Sequence, residues 1–178
     1  MKKLFTFIVA ACVASVGYAQ YWYVPHIDAG ENPGGLNTTD EFPLGGGLSS
    51  VWSSILGPST SATYSGPQSM PFSFNFNGNS VTQYKVSNTG IVTFDVGSVV
   101  LPTFGMQTLP STNIPDNSVV ITGIEGTDAA SADNVVAQTF GSAPNRQHWV
   151  MFASYTISGV ANSWTYWSVV FEETTNKI

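Results

Sequence analysis

The chain has 178 residues, of which 43% are hydrophobic, 13% aromatic and only 9% charged, and its formal net charge at pH 7 is −6. The few cationic side chains cannot neutralise a phosphate backbone or an anionic lipid surface. Binding to nucleic acids or to anionic membrane surfaces is therefore not expected. The length fits one domain, and the aromatic content supplies enough apolar surface for a folded core.

Residues 1–19 have the features of a cleavable signal peptide. Lys2 and Lys3 precede an apolar run over residues 4–16, and Ala19 suits the position before a signal peptidase cut. The run is too short to span a bilayer comfortably, so an integral membrane protein is not expected. Cys12 leaves a lipoprotein signal as the alternative, although the residues that follow it stay apolar. The sequence therefore predicts a secreted or cell-surface protein without disulfides.

Residues 20–47 form a turn-rich segment, because glycine and proline are clustered there. Tyr21 and Trp22 would open the mature chain and are candidate glycan-binding residues. His26, Asp28 and Glu31 could hold a metal ion, and the alternative is a polar loop near the start of the mature chain.

Strand signals dominate residues 48–178, which we predict to be one β-sandwich domain. Residues 72–76 alternate strictly between phenylalanine and polar residues, and Asn77-Gly78 is a strong hairpin signal before a return strand over 81–86. A turn at Asn88 to Gly90 precedes a strand over 91–94. Further β-rich runs, separated by turn clusters, cover residues 118–124, 134–140, 147–157 and 164–172. The pattern predicts an all-β fold, an antiparallel β-sandwich that is jelly-roll-like.

The last residues predict a hairpin, with a strand over 169–173, a turn over 174–177 and a returning strand that starts at Ile178. A strand edge left open in this way is unusual for a complete domain. We therefore expect the sandwich to be truncated at its C-terminal end, and downstream domains of the same polypeptide to be its partners.

Few titratable groups are available for catalysis, so a non-enzymatic protein is expected. His148 lies in an alternating run and is either outward-facing or a hydrogen-bonded strand histidine, with no nucleophile elbow nearby.

Four oxygen-bearing side chains lie within ten residues beside a glycine, as a hard cation such as calcium requires. They are Glu125, Asp128, Asp133 and Asn134. Their spacing matches no known calcium loop, and the alternative is a solvated turn.

Aromatic side chains offer the better binding prediction. On a strand, Trp167, Val169 and Phe171 share one face, and Trp164 and Tyr166 lie on the other. If the first set is core, the second points outward and could stack against sugar rings of a polysaccharide or surface glycan. The alternative is that another strand, or the missing C-terminal part, covers both.

The chain resembles the N-terminal domains of secreted Bacteroidota proteins that use type IX secretion. The similar stretches are residues 72–78, 86–94, 141–146, 149–152 and 169–172. The resemblance implies an exported protein with an adhesion-like or accessory role, and it supplies no catalytic residues. Within it, Arg146 is expected to pair with a carboxylate such as Glu172.

The expected function is therefore an extracellular, non-enzymatic adhesion or glycan-binding module of a larger secreted or surface protein. An accessory domain of a secreted hydrolase and a structural spacer without ligand remain the alternatives.

Overall fold

The computed structural model describes residues 32–38, 51–127 and 133–178. In these residues the chain forms one 3-10 turn, Pro33–Gly35, and antiparallel strands throughout, which confirms the all-β prediction. The strands are β1 (Ser53–Leu56), β2 (Gln68–Phe76), β3 (Asn79–Val86), β4 (Ile91–Thr93), β5 (Ser118–Val120), β6 (Ile124–Glu125), β7 (Asn134–Phe140), β8 (Gln147–Ile157) and β9 (Thr165–Glu172).

The strands form two antiparallel sheets. In the first sheet, β1 pairs with β7, β7 with β8, and β8 also pairs with β9 along most of its length and with β6 at its last two residues. The second sheet has the order β2-β3-β4-β5. The described part of the chain contains no helix with the length and hydrophobicity needed to cross a bilayer.

The β2–β3 hairpin follows directly from its sequence. Asn77 and Gly78 both have positive φ, 50° and 77°, as the favoured two-residue turn requires. Phe72 and Phe74 point into the core, whereas Ser73 and Asn75 are exposed. The predicted alternation is therefore confirmed.

The two sheets pack through a shared aromatic core. The rings of Phe74 in β2 and Phe171 in β9 lie 5.4 Å apart in an edge-to-face arrangement, and Phe94 lies 5.7 Å from Phe171. Such contacts between sheets bury the aromatic surface that the composition supplies. The fully buried members of this core include Val86, Val92, Val135, Val150 and Phe152.

A second apolar layer covers the outer side of β8. Trp149 and Met151 are fully buried there, and Leu36 packs against the same cluster. The Gln147 side chain donates to the Pro33 carbonyl at 2.9 Å. The 3-10 turn is thereby docked on the first sheet, which explains why β8 is buried on both faces.

His148 connects the sheets by hydrogen bonds. Its Nε2 lies 2.7 Å from the Tyr84 hydroxyl in β3, and its Nδ1 lies 2.9 Å from Thr139 Oγ1 in β7. Burial lowers the pKa of His148 to about 4, so the imidazole is neutral at pH 7. Of the two alternatives for this residue, the hydrogen-bonded strand histidine is correct.

The turn after β9 reverses the chain as predicted. The Glu172 amide donates to the Lys177 carbonyl at 3.0 Å, and Asn176 Oδ1 accepts from the Asn75 amide of β2 at 2.7 Å. These residues therefore contact both sheets.

The expected pairing of Arg146 with a carboxylate is confirmed, but its partner is Glu173 and not Glu172, which was the example named. Arg146 Nε lies 2.8 Å from Glu173 Oε2, and Nη2 lies 2.6 Å from Oε1. The register of β8 and β9 sets Gln147 opposite Glu172, so the preceding arginine meets the following glutamate. Glu172 accepts instead from Gln147 and Thr175.

Candidate functional site

Trp164 and Tyr166 point away from the core at the start of β9. The Trp164 side chain is 72% exposed and Tyr166 is 40% exposed, whereas Val169 and Phe171 are buried. The predicted division of the two faces is confirmed. Tyr166 also accepts a hydrogen bond from Ser154 Oγ of β8 at 3.3 Å, which orients its ring.

A β-bulge in β8 prepares this contact. The register of β8 against β9 shifts between Phe152 and Tyr155, and Ser154 has a positive φ of 62°. The extra residue lets Tyr155 turn into the core after Phe152. The Tyr155 ring fills the space beside Gly126, where a Cβ would lie 2.6 Å from the ring.

The turn between β8 and β9 is held by its own hydrogen bonds. Ile157 donates its amide to Ser163 Oγ at 2.8 Å, and Ser163 Oγ donates to the Val160 carbonyl at 2.9 Å. The Val160 amide in turn donates to the Ile157 carbonyl. Both apolar side chains are exposed, so the turn presents them directly before Trp164.

The loop between β4 and β5 reaches the same end of the sandwich. The Ser158 amide donates to the Gly123 carbonyl at 2.8 Å, and the Met106 methyl group lies against Gly123. Met106 is 71% exposed. We define the loop-end surface as these five side chains: Met106, Ile157, Val160, Trp164 and Tyr166.

Sequence reasoning missed three members of this surface, Met106, Ile157 and Val160. The available signal was apolar residues placed inside turn segments or directly beside them. In particular, residues 96–115 contain no charged residue, although a solvated loop of this length usually carries several.

Buried hydrogen bonds from Asn88 hold the neighbouring loops. Its Oδ1 accepts from the Thr63 amide at 2.8 Å, and its Nδ2 donates to the Ser59, Ser61 and Gly126 carbonyls. Asn88 is fully buried, so its side-chain amide supplies the hydrogen bonds that water would otherwise make to the backbone of two loops.

The predicted calcium ligands are only partly described. Glu125, Asp133 and Asn134 lie near the far end of β8, where Glu125 pairs with Thr156 and Asn134 with Ala153. Glu125 Oε1 accepts from the Gly105 amide at 2.8 Å, and Asp133 is buried. Asp128 lies outside the described residues. Across residues 32–38, 51–127 and 133–178, no three His, Cys, Asp or Glu side chains come together as metal ligands.

Other predicted site residues also lie outside the described ranges. They are Tyr21, Trp22, His26, Asp28 and Glu31.

A separate cleft of about 440 Å³ lies beside the loop between β4 and β5, and Asp95 and Asp116 line it. Lys85 donates from Nζ to the carbonyl of Ser98, another lining residue. The sequence did not single out this cleft.

A family model described as NIDO related matches residues 50–178, which is more than two thirds of the chain and includes all nine strands of the described residues. No curated protein matches the chain, and no solved structure matches it.

Proposed function

The chain belongs to the NIDO-related family, and we propose that it is a non-enzymatic glycan-binding module that serves attachment in a larger secreted or surface protein. The observation that carries the proposal is the exposed pair Trp164 and Tyr166 on a hydrogen-bonded hairpin. The other residues of the loop-end surface extend this apolar area.

Aromatic side chains of this kind suit sugar recognition. The C–H faces of pyranose rings are apolar and stack on indole and phenol rings, while hydroxyl groups at the edge accept and donate hydrogen bonds. On the protein side, Tyr166 and Ser154 supply hydroxyl groups on the same hairpin as Trp164. Because the turn from Ile157 to Ser163 is already held by internal hydrogen bonds, little conformational entropy would be lost on binding.

The rest of the proposal concerns location and context. A signal peptide over residues 1–19 would export the chain, and the resemblance to secreted Bacteroidota proteins supports a type IX route to the surface. The domain would be a jelly-roll-like sandwich over 48–178 followed by further domains.

A second candidate function is an accessory domain that contacts a hydrolase domain of the same polypeptide. It is favoured by the uncharged loop over residues 96–115, where Val99 is 91% exposed and Leu101 is also exposed. Exposed apolar loops of this kind mark protein contacts. A spacer without ligand would use neither surface.

A glycan array and a pull-down with insoluble polysaccharides test the proposal, each with and without calcium. We expect the exported chain to bind, and the double variant Trp164→Ala/Tyr166→Ala to lose at least about tenfold in affinity. The matched control is Val99→Ala/Leu101→Ala, which removes apolar groups that are still more exposed from another loop and should leave glycan binding unchanged.

Two results would contradict the proposal. Absence of binding by a folded chain would favour the spacer, and binding that depends on Val99 and Leu101 instead would favour the accessory contact. Urea unfolding of each variant shows that a loss of binding is not a loss of fold.

A further inference from the structure

The basic side chains of the described domain are either enclosed within it or lie at the opposite end of β8 from the loop-end surface. Beyond Lys3 the sequence contains three, Lys85, Arg146 and Lys177. Lys85 is only 7% exposed, and its Nζ donates to the Ser98 carbonyl and lies 4.6 Å from the centre of the Tyr64 ring. This cation is therefore held inside the domain.

The other two cations lie at the opposite end of β8. Arg146 directly precedes β8 and is bound to Glu173, and Lys177 pairs by its backbone with Glu172 at the end of β9. Trp164 and Val160 follow the far end of the same strand. Eleven residues of strand span about 35 Å, several times the Debye length of about 8 Å at physiological ionic strength.

A carboxylate lies at the loop-end surface itself. Glu125 pairs with Thr156, the residue before Ile157, and its Oε1 accepts from the Gly105 amide next to Met106. The hydrogen-bonding side chains at this surface, Ser154, Ser163 and Tyr166, are uncharged. The local charge at this end of the described domain is therefore negative.

We propose that the loop-end surface selects uncharged glycans and rejects acidic ones, an inference that rests on the proposed function. A uronate or sulfate would meet the carboxylate of Glu125 and lose part of its hydration, with no guanidinium or ammonium group to replace that hydration. A neutral sugar needs only the aromatic faces and the hydroxyls. Discrimination here comes from the repulsive group, while the aromatic pair supplies affinity.

Matched pairs of polysaccharides that differ in charge on one backbone test this inference. The probes are hydroxyethylcellulose against carboxymethylcellulose, dextran against dextran sulfate, and methyl-esterified against de-esterified homogalacturonan. Affinity electrophoresis of the exported chain measures its binding to each polysaccharide. We expect retardation by at least one neutral member, about tenfold weaker binding of its acidic counterpart, and no weakening of neutral binding between 0.05 and 0.5 M NaCl.

Val160→Lys, with Val160→Gln as its uncharged control, gives a gain-of-binding test. The site is exposed and its backbone turn does not depend on the side chain. We expect the lysine variant alone to recover binding of the acidic counterpart, and this recovery to weaken at 0.5 M NaCl.

The outcomes separate the two proposals. Binding of an acidic member as tightly as its neutral counterpart, lost in Trp164→Ala, would overturn the charge selection and leave the proposed function standing. Binding of no member in any pair would overturn both.

Discussion

His148 Nε2 in the first sheet is hydrogen bonded at 2.7 Å to the Tyr84 hydroxyl in the second, and the two rings meet edge to face at 5.6 Å. Thr139 holds the other ring nitrogen. A neutral imidazole with both nitrogens occupied ties the two sheets together, so its protonation opposes folding.

The stability of the domain should fall as the pH is lowered from about 6.5 to about 4. The pKa of His148 is about 4 when folded against an ordinary 6.5, so in this window the unfolded chain binds the additional proton and stability is lost. The slope is about 1.4 kcal/mol per pH unit and the total about 3 kcal/mol, fully retained above pH 6.5. Urea unfolding between pH 7.5 and 4.5 measures this.

His148→Gln is the control for that prediction. Its stability should depend less steeply on pH than that of the parent chain over the same window, because glutamine does not titrate. Equal slopes for the two proteins would show that His148 is not the group responsible.

Asn88→Ala should destabilise the domain by about 3 kcal/mol or more, since it leaves the Thr63 amide and several carbonyls without their buried partner. Asn79→Ala is the matched control, because Asn79 is exposed and makes one long bond to the Asn77 carbonyl. Its cost should stay within about 0.5 kcal/mol. Similar costs for the two variants, measured by chemical denaturation, would contradict the role assigned to Asn88.

Gly90→Ala should be much more destabilising than Gly78→Ala, although both glycines have positive φ. A Cβ at Gly90 would overlap the Ile121 carbonyl oxygen, whereas a Cβ at Gly78 meets open space. The left-handed backbone alone costs about 1–2 kcal/mol, which is what Gly78→Ala should show. Thermal unfolding of both variants separates backbone strain from collision, and equal midpoints would rule out the collision.

Glu173→Gln should lower stability at pH 7, and its difference from the parent chain should disappear as the pH falls through the lowered pKa of Glu173. The Arg146 guanidinium bonded to this carboxylate lowers its pKa, so the stabilisation is present above the ordinary value near 4.5 and is lost as the pH falls through the lowered value. The difference between parent and variant should also shrink in 1 M NaCl. A difference that persists at both low pH and high salt would indicate a packing effect instead.

The sequence predicted the elements that local patterns define. The bounds of β7 and β8 agree with the predicted runs, and the hairpin at Asn77 and Gly78 forms as expected. The outward direction of Trp164 and Tyr166 followed from the alternation through Trp167 to Phe171.

Elements that depend on distant partners were not predictable in the same way. Strand β1 was missed because its four residues are ordered by pairing with β7, and the predicted run over 118–124 divides into β5 and β6, which join different sheets. The loop-end surface was not predictable because it depends on the contact of Met106 with Gly123, and no local sequence pattern indicates that contact. Likewise, the partner of Arg146 depended on the register of two strands.

The bulge at Ser154 makes β8 sensitive to its length. Before the bulge, the even-numbered residues Val150 and Phe152 face the core between the sheets, and the odd-numbered residues face the outer layer. After the bulge, the odd-numbered residue Tyr155 faces the core. Deleting Ser154 would remove the extra residue and restore regular alternation, which keeps the Tyr155 ring on the core side. Gain of a further residue here would instead turn the Tyr155 ring out of the core and change the frame for the rest of the strand, while substitution of Ser154 changes only one side chain.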